Sequence, residues 1–476
     1  MPAPPNILFI TTDMQRYDTL GCNGNTHIAT PHLDALAASG VRFTNAFVNN
    51  PVCMPSRASL FTGKVPSAHG VRWNAGGLAA HETTITRRLR DAGYQTAAIG
   101  KMHWGDTTAD FGLDFVNVLD DGGVSAGGAG PTYREYLQSI GSADVPPVTS
   151  HSAYGPTYGA VASPLPAKAH VDGFVADTAM RFLRDRDRDK PFFCWTSFHG
   201  PHLPLDPATP WDTLYDPADI PMPDPSADEL DTKPPEQRAF QRNTSRGNGF
   251  GDYRHITRDP TRLRRLLAHY WGKISMIDEF IGQILGQLAE LGDAGNTVVI
   301  VTTDHGDFAG HHDLLFKNAF CYDDLLRVPL IVSAPALWGP RVVDDFVEEI
   351  DLPVTMLRLA GLEPHDGMQG DDLLPLLSGD SSRARTAVYA EAVDQRMIRT
   401  REWKLVHYRA KAYGELYHLV SDPGETINRY DDPDCAAIRD ELRAMLVDRV
   451  VGLEERLHRE VPFVEFPADD VRLPAL

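Results

Sequence analysis

Short apolar runs alternate with helix-period stretches over the first nine-tenths of the chain. Residues 6–12 (NILFITT), 94–100 (YQTAAIG), 191–198 (PFFCWTSF), 297–303 (TVVIVTT) and 328–334 (VPLIVSA) have the length and near-continuous apolar texture of strands covered on both faces. Between them lie helical patterns at 31–39, 86–93, 174–185 and 261–292. Pro31 suits a first helical turn, and Gly93 suits a helix end. This alternation predicts an α/β fold with a mainly parallel central sheet flanked by helices. After about residue 380 the texture changes. TAVYAEA, MIRTREWKLVHY and GELYHLV read as strands joined by short turns, and 436–457 as one closing helix. The expectation is a main domain over 1–379 and a small C-terminal α+β subdomain with an antiparallel sheet over 380–476.

Two stretches interrupt the alternation. Residues 120–168 are rich in Gly, Ala, Ser and Pro, and residues 200–260 in Pro, Asp and Arg. Both are too long for plain connections, so they are expected to lie over the working face of the sheet. The charged run RDRDRDK at 184–190 reads as a solvated helix end.

Composition narrows the class of partner. The chain has 476 residues, with 42% hydrophobic and 23% charged residues, which suits a globular protein of one large and one smaller domain. Lys and Arg number 45 against 65 Asp and Glu, a net charge of −20. Such a field excludes nucleic acid or an anionic membrane as a partner of the whole surface. An anionic substrate would need a local cluster of positive charge. The start, MPAPPNILFITTD, has no basic region ahead of its apolar run, so it reads as a strand and not as a secretory signal, and a cytoplasmic location is expected. The five cysteines, Cys22, Cys53, Cys194, Cys321 and Cys435, are scattered and form no CxxC pair. They support neither a disulfide framework nor a zinc-thiolate site.

In open parallel sheets, ligands sit beyond the carboxyl ends of strands. Three separate strands run into suggestive residues there: Asp13 after 6–12, Gly100, Lys101 and His103 after 94–99, and Asp304 and His305 after 297–303. Asp13, Asp304 and His305 could hold a divalent metal. Carboxylates suit Ca²⁺, Mg²⁺ or Mn²⁺, and the imidazole leans toward Mn or Zn. Taken singly, each Asp reads better as the cap of a following helix, but two at strand ends with a His adjacent favour the metal. Arg57, Lys101 and Lys317 together would form an anion clamp, although a lone lysine is more often a surface charge. His103 and His202, the latter in HGPHLP, can move protons near neutral pH or simply pack. Cys53 lies in PVCMPSRASLFTG, ahead of a helix-like stretch with Arg57 in its first turn. A buried small hydrophobe and a thiolate beside Arg57 are both open readings.

The segment Cys53-Met54-Pro55-Ser56-Arg57 followed by ASLFTG resembles the signature of the type I sulfatases, alkaline-phosphatase-like enzymes whose cysteine is oxidised to formylglycine. NILFITTDMQRYDTLGC, GYQTAAIGKMHWG, FHGPHLP, TTDHGDFAGHHDLLFK and ELYHLVSDPGETIN resemble further family segments in the same order. The resemblance implies hydrolysis of a sulfuric ester. A formylglycine hydrate at position 53, beside one divalent cation, would attack sulfur to give a covalent sulfated intermediate, with Ca²⁺ expected first and Mg²⁺ or Mn²⁺ as alternatives. Asp13, Cys53, Asp304 and His305 would hold the cation. Arg57, Lys101, Lys317 and the metal would neutralise the sulfate. His202 with Lys317 would assist the leaving alcohol, and His103 would take a proton from the second hydroxyl. The implied partners are a small-molecule or sugar sulfate ester and a formylglycine-generating enzyme, with a homo-oligomer by analogy. The sequence departs from the pattern at Met14, where the family carries an oxygen ligand; a thioether suits a hard cation poorly, and Gln15 or a water is the candidate replacement. A phosphonate monoester hydrolase or phosphodiesterase of the same superfamily is the alternative activity, and an inactive binding homologue the alternative class. Lys101 and His103 favour the sulfatase. Tyr154, Tyr158 and the basic residues near 253–265 are candidate substrate contacts.

Overall fold

The computed structural model describes residues 4–105, 109–120, 125–126, 130–223, 229–242, 251–382 and 384–457. The parts of the two long connections at 121–124, 127–129, 224–228 and 243–250 lie outside the described residues.

Nine strands form the large sheet: β1 (Asn6–Asp13), β2 (Val41–Phe47), β3 (Gln95–Gly100), β4 (Phe115–Leu119), β5 (Ser125–Ala126), β6 (Phe192–Pro201), β7 (Thr297–Thr303), β8 (Arg327–Ser333) and β9 (Arg341–Glu348). Their order is β5-β4-β3-β6-β1-β7-β8-β2-β9. The five strands from β4 to β7 are mutually parallel. Strand β8 is antiparallel to both β7 and β2, so β2 runs in the same direction as the parallel block, and β9 follows β2. Four further strands, β10 (Val388–Ala392), β11 (Gln395–Arg399), β12 (Trp403–Tyr408) and β13 (Gly414–His418), make a separate antiparallel meander.

The apolar runs are continuous because both faces of the sheet are covered. Ile7 and Phe9 pack on one side with Leu60, Phe61, Leu89 and Leu357, which come from the helices Cys53–Thr62, Ile85–Asp91 and Asp351–Leu359. Leu8 and Ile10 pack on the other with Leu33, Val175, Ala179, Ile277 and Ile281, from the helices Pro31–Ser39, Val171–Asp185 and Pro260–Glu290. Period-two alternation therefore separates two cores without any polar position between them.

Four features differ from the sequence reading. Strand β6 continues to Pro201, three residues past the expected end at Phe198. MIRTREWKLVHY is two strands, β11 and β12, folded about residues 400–402. Strands β2, β4, β5 and β9 lie outside the runs read from the sequence; in β2 and β9, part-buried or exposed polar residues such as Arg42, Thr44 and Asp344 interrupt the apolar pattern. In the run 184–190, Arg186 is buried: it pairs with Asp293 at 2.7 Å and lies 4.7 Å over the Phe192 ring, so this helix end is anchored and not simply solvated. Among the described residues, no helix is long and apolar enough to cross a membrane.

Candidate active site

The carboxyl ends of β3, β6, β1 and β7 lie side by side on one edge of the sheet. Strand β2 ends on the same edge, and six residues later the helix Cys53–Thr62 begins at Cys53. All ten residues of this helix are buried. The loop that leads into it is fixed by side chains. Asn49 donates to Glu348 (3.0 Å) and to the Tyr389 carbonyl (2.8 Å), Asn50 donates to the Glu391 carbonyl (2.6 Å), and Ser56 donates to Glu349 (2.6 Å). Strand β3 reaches the site through Gly100, whose φ is +88°. A Cβ there would lie 2.0 Å from the Ser197 carbonyl oxygen, so only glycine can turn Lys101 inward at this point.

Around Cys53 the structure brings together Asp13, Arg57, Lys101, Asp304, His305 and Lys317, all but Lys317 almost fully buried. The two carboxylates are divided by function. Asp13 Oδ2 meets Lys101 Nζ at 2.7 Å and Arg57 Nη2 at 3.3 Å, and Asp304 Oδ2 meets Arg57 Nε at 2.7 Å. The two Oδ1 atoms turn the other way, 3.7 and 3.6 Å from His305 Nε2. Cys53 Sγ completes the group at 3.3 Å from His305 Nε2 and 3.9 Å from Asp13 Oδ1. His305 Nδ1 lies 2.8 Å from the Gly306 carbonyl, which can only accept, so Nδ1 carries a proton and Nε2 is the ring nitrogen turned toward the other donor atoms.

One donor atom from each of Asp13, Cys53, Asp304 and His305 lies within 4.8 Å of all the others. Ligands about 2.1–2.5 Å from one ion sit roughly 3–4 Å apart, so this donor set fits a divalent cation. Met14 contributes no oxygen. Its backbone N–H donates to Asp304 Oδ1 at 3.1 Å, and its side chain joins the apolar cluster that includes Tyr270 and Phe308. Gln15 accepts from Thr12 at 2.8 Å, and its buried Nε2 has no hydrogen-bond partner among the described residues.

Electrostatics follow from this packing. Burial pushes the Asp13 carboxyl up, but Lys101, Lys317, His202 and Arg57 outweigh it and hold the group well below the usual carboxylate range. Burial and Asp13 push the Cys53 thiol up, yet Lys317 (2.7 Å from Sγ), Lys101 and His305 bring it well below an ordinary thiol. The position therefore favours an anionic oxygen or sulfur. Arg57 donates to Asp13, Asp304, Ser197 Oγ (2.7 Å) and the Lys101 carbonyl (2.5 Å), so it also fixes both carboxylates.

The two remaining histidines come from neighbouring strand ends. Met102 and His103 both donate backbone N–H groups to Asp120 Oδ1, at 3.0 and 2.8 Å, which shapes the loop after β3. Past a bulge, Asp13 of β1 pairs with Pro201 of β6, and this register puts His202 beside the cluster. Its Nδ1 lies 3.0 Å from the Leu203 carbonyl. The expected substrate contacts divide. Tyr154 is half-buried. Tyr158 is buried, donates to the Asp252 carbonyl at 2.7 Å and packs on Tyr253. Arg254, Arg258 and Arg262 pair with Asp252, Asp313 and Asp259.

Sequence reasoning missed the supports. Ser197, Asp120, Asp172, Asp206 and Lys273 are buried or half-buried polar groups that hold the site loops. Lys273 had a readable signal: it lies three residues after Tyr270 and four before Ile277, on the apolar face of its helix.

Residues 5–362 match the family model described as Sulfatase, which covers well over half of the chain. The chain belongs to the sulfatase family. Residues 310–451 match a second model, described as N-sulphoglucosamine sulphohydrolase, C-terminal. An arylsulfatase of Clostridium perfringens is 31% identical over 95% of both chains. A choline-sulfatase of Rhizobium meliloti is 28% identical, over 90% of this chain and 83% of that one. The crystal structure of a phosphonate monoester hydrolase of Agrobacterium radiobacter superposes with a TM-score of 0.83 at 26% identity, covering 94% and 96% of the two chains. This sulfatase is thus an enzyme of the arylsulfatase-like, sulfuric ester hydrolase kind, on an alkaline-phosphatase-like fold.

Proposed function

We propose that this sulfatase releases inorganic sulfate from a small-molecule or sugar sulfate ester at position 53, with Cys53 carried as formylglycine after maturation by a formylglycine-generating enzyme. The carrying observation is the convergence of Asp13, Asp304, His305 and Cys53 on one point, with Lys101, Lys317 and Arg57 around it. Cys53 Sγ stands where the oxygen of that modified side chain would be. Asp13, Asp304 and His305, with that oxygen, would hold one divalent cation, calcium first, whose positive charge would lower the pKa of the attacking oxygen. Residue 53 in aldehyde-hydrate form would supply the nucleophile and a second hydroxyl that permits sulfate release by elimination.

The chain's own residues do the rest. Lys101 and Lys317 bring positive charge to the sulfate oxygens, where negative charge shifts in the transition state. Arg57 joins them and keeps Asp13 and Asp304 in place. His202 Nε2 gives a proton to the departing alcohol oxygen, with Lys317 assisting, and His103 accepts the proton of the second hydroxyl. Residues 380–476 act as a subdomain that braces the nucleophile loop, since Asn49 and Asn50 bond to the backbone of β10.

The test is mass spectrometry of the tryptic peptide 43–57 from enzyme made in its native host, followed by release assays on matched esters. An aldehyde in place of the thiol, with faster release of sulfate than phosphate, is the expected result. An unmodified thiol in active enzyme would sink the formylglycine reading. The second reading, a phosphonate monoester hydrolase or phosphodiesterase, draws on the 0.83 TM-score to such an enzyme. Faster turnover of phosphonate or phosphate esters would establish it.

A further inference from the structure

The segment 199–206, which is the end of β6 and the loop after it and carries His202, is gripped by two buried charged groups from two different helices. From the helix Pro260–Glu290, Lys273 Nζ points its three N–H donors at three acceptors: the Pro204 carbonyl (2.7 Å), Asp206 Oδ1 (3.0 Å) and the carbonyl of His202 itself (3.2 Å). From the start of the helix Val171–Asp185, Asp172 Oδ1 accepts from the backbone N–H groups of His199 (2.7 Å) and Gly200 (3.1 Å). His170 links the two, with Nε2 3.3 Å from Asp206 and Nδ1 accepting from the Asp172 N–H at 3.1 Å. Lys273, His170 and Asp172 are each no more than 2% exposed. Gly200 is the seam. A Cβ there would lie 2.6 Å from Lys273 Cε, 2.6 Å from Ile277 Cδ1 and 2.9 Å from Asp172 Oδ2, so the loop backbone fits between the two helices without room to spare.

We propose that Lys273 and Asp172 are positioning residues for His202: they clamp the loop from both sides so that its imidazole meets the departing oxygen. Burying a lysine and an aspartate is costly unless each is paired. Here the pairing fixes the backbone on both sides of His202, and neither residue is among the groups gathered around Cys53. The inference rests on the reading of His202 as the proton donor to the leaving group. Such a donor matters most for a basic leaving oxygen, so the clamp acts on leaving-group dependence more than on substrate binding.

The experiment measures kcat and KM of matured full-length enzyme on aryl sulfates whose phenols span acidic to weakly acidic. Three variants are compared with wild type: Asp172→Asn, Lys273→Met/Asp206→Asn, which removes the buried pair together, and Gly200→Ala, which leaves every charge in place. The expected result is a steeper fall of kcat with leaving-group basicity, about threefold loss on a nitrophenyl ester and about 30-fold on a phenyl ester, with KM within about twofold. An equal loss across the series, or no loss in any variant that folds, overturns the clamp. His202→Ala serves as the reference. If it keeps the wild-type slope there is nothing to position, and the clamp falls while sulfate release by the wild type leaves the sulfatase reading intact. If the wild type releases no sulfate from any ester, it is the reading of the site itself that fails, and the clamp with it.

Discussion

Two groups of buried charge in this molecule are built alike in composition and differently in geometry. One surrounds Cys53. The other lies where the meander β10–β13 meets the main sheet. In the second, Lys404 pairs with Glu425 (2.6 Å) and with Asp323, and Arg399 reaches Asp323 at 3.0 Å. Lys233 meets Tyr417 (2.9 Å) and Glu229 (3.5 Å), Glu415 accepts from Tyr408 (2.6 Å), Gln237 (3.1 Å) and Tyr417, and His312 lies between Glu229 (2.6 Å) and Asp324 (3.4 Å). These groups close on one another. Around Cys53, Arg57 and Lys101 hold one oxygen of each aspartate, while the other converges with His305 Nε2 and Cys53 Sγ on a shared point that Lys317 flanks. A structural network matches its charges within itself, whereas a reactive one keeps donor atoms directed at something that is not protein.

Substitutions can break this comparison. The largest expected effect is at Cys53. Cys53→Ala should lower kcat by about 10⁴-fold or more, with a stability loss under about 1 kcal/mol, because it removes the nucleophile and little packing. Parallel steady-state kinetics and thermal melts check it; a large fall in melting temperature would make the position structural. Lys404→Met should do the reverse. It leaves Glu425 without its cation, beside an Asp323 that keeps only Arg399, and should cost about 3–5 kcal/mol in denaturant unfolding, with kcat per folded molecule within about threefold of wild type.

The third effect is pH-dependent. Burial pulls the His312 imidazole down, but the Asp324 and Glu229 carboxylates outweigh it and raise it to about 9. A group raised in the folded state stabilises fully below its unfolded pKa and loses that contribution as pH climbs through the folded value. The His312 contribution, about 3 kcal/mol, should therefore be present below about pH 6.5 and vanish by about pH 9. His312→Gln should flatten unfolding free energy across this window; an unchanged slope would show that the imidazole is not charged there. The smallest effect sharpens the reactive side. Met14→Gln restores an oxygen donor next to Asp13 and should tighten calcium or manganese binding about tenfold by calorimetric titration. Equal or weaker binding would mean that the four-donor set is complete as it stands.

Much of this architecture was legible in the chain. The run 6–12 reads as a doubly covered strand because β1 alternates its residues between two apolar cores, and the strands 94–100 and 297–303 are legible for the same reason. Less of the support was legible. Lys273 looks like any helical lysine until the segment 199–206 is laid against it, and Glu349 shows no sign in sequence that it will receive Ser56.

By itself the sequence determined the α/β class, the strand-end placement of Asp13, Lys101 and Asp304, and the family through the segment that begins at Cys53. Those are properties of local pattern and motif, which need no neighbour to be read. Only the tertiary structure decided which oxygen of each aspartate faces Arg57 and which faces His305. It alone showed that Tyr158 packs inward, and that Pro201 comes to lie beside Asp13. Each depends on sheet order and register between segments far apart in the chain, and a contact of that kind leaves no periodicity in either segment.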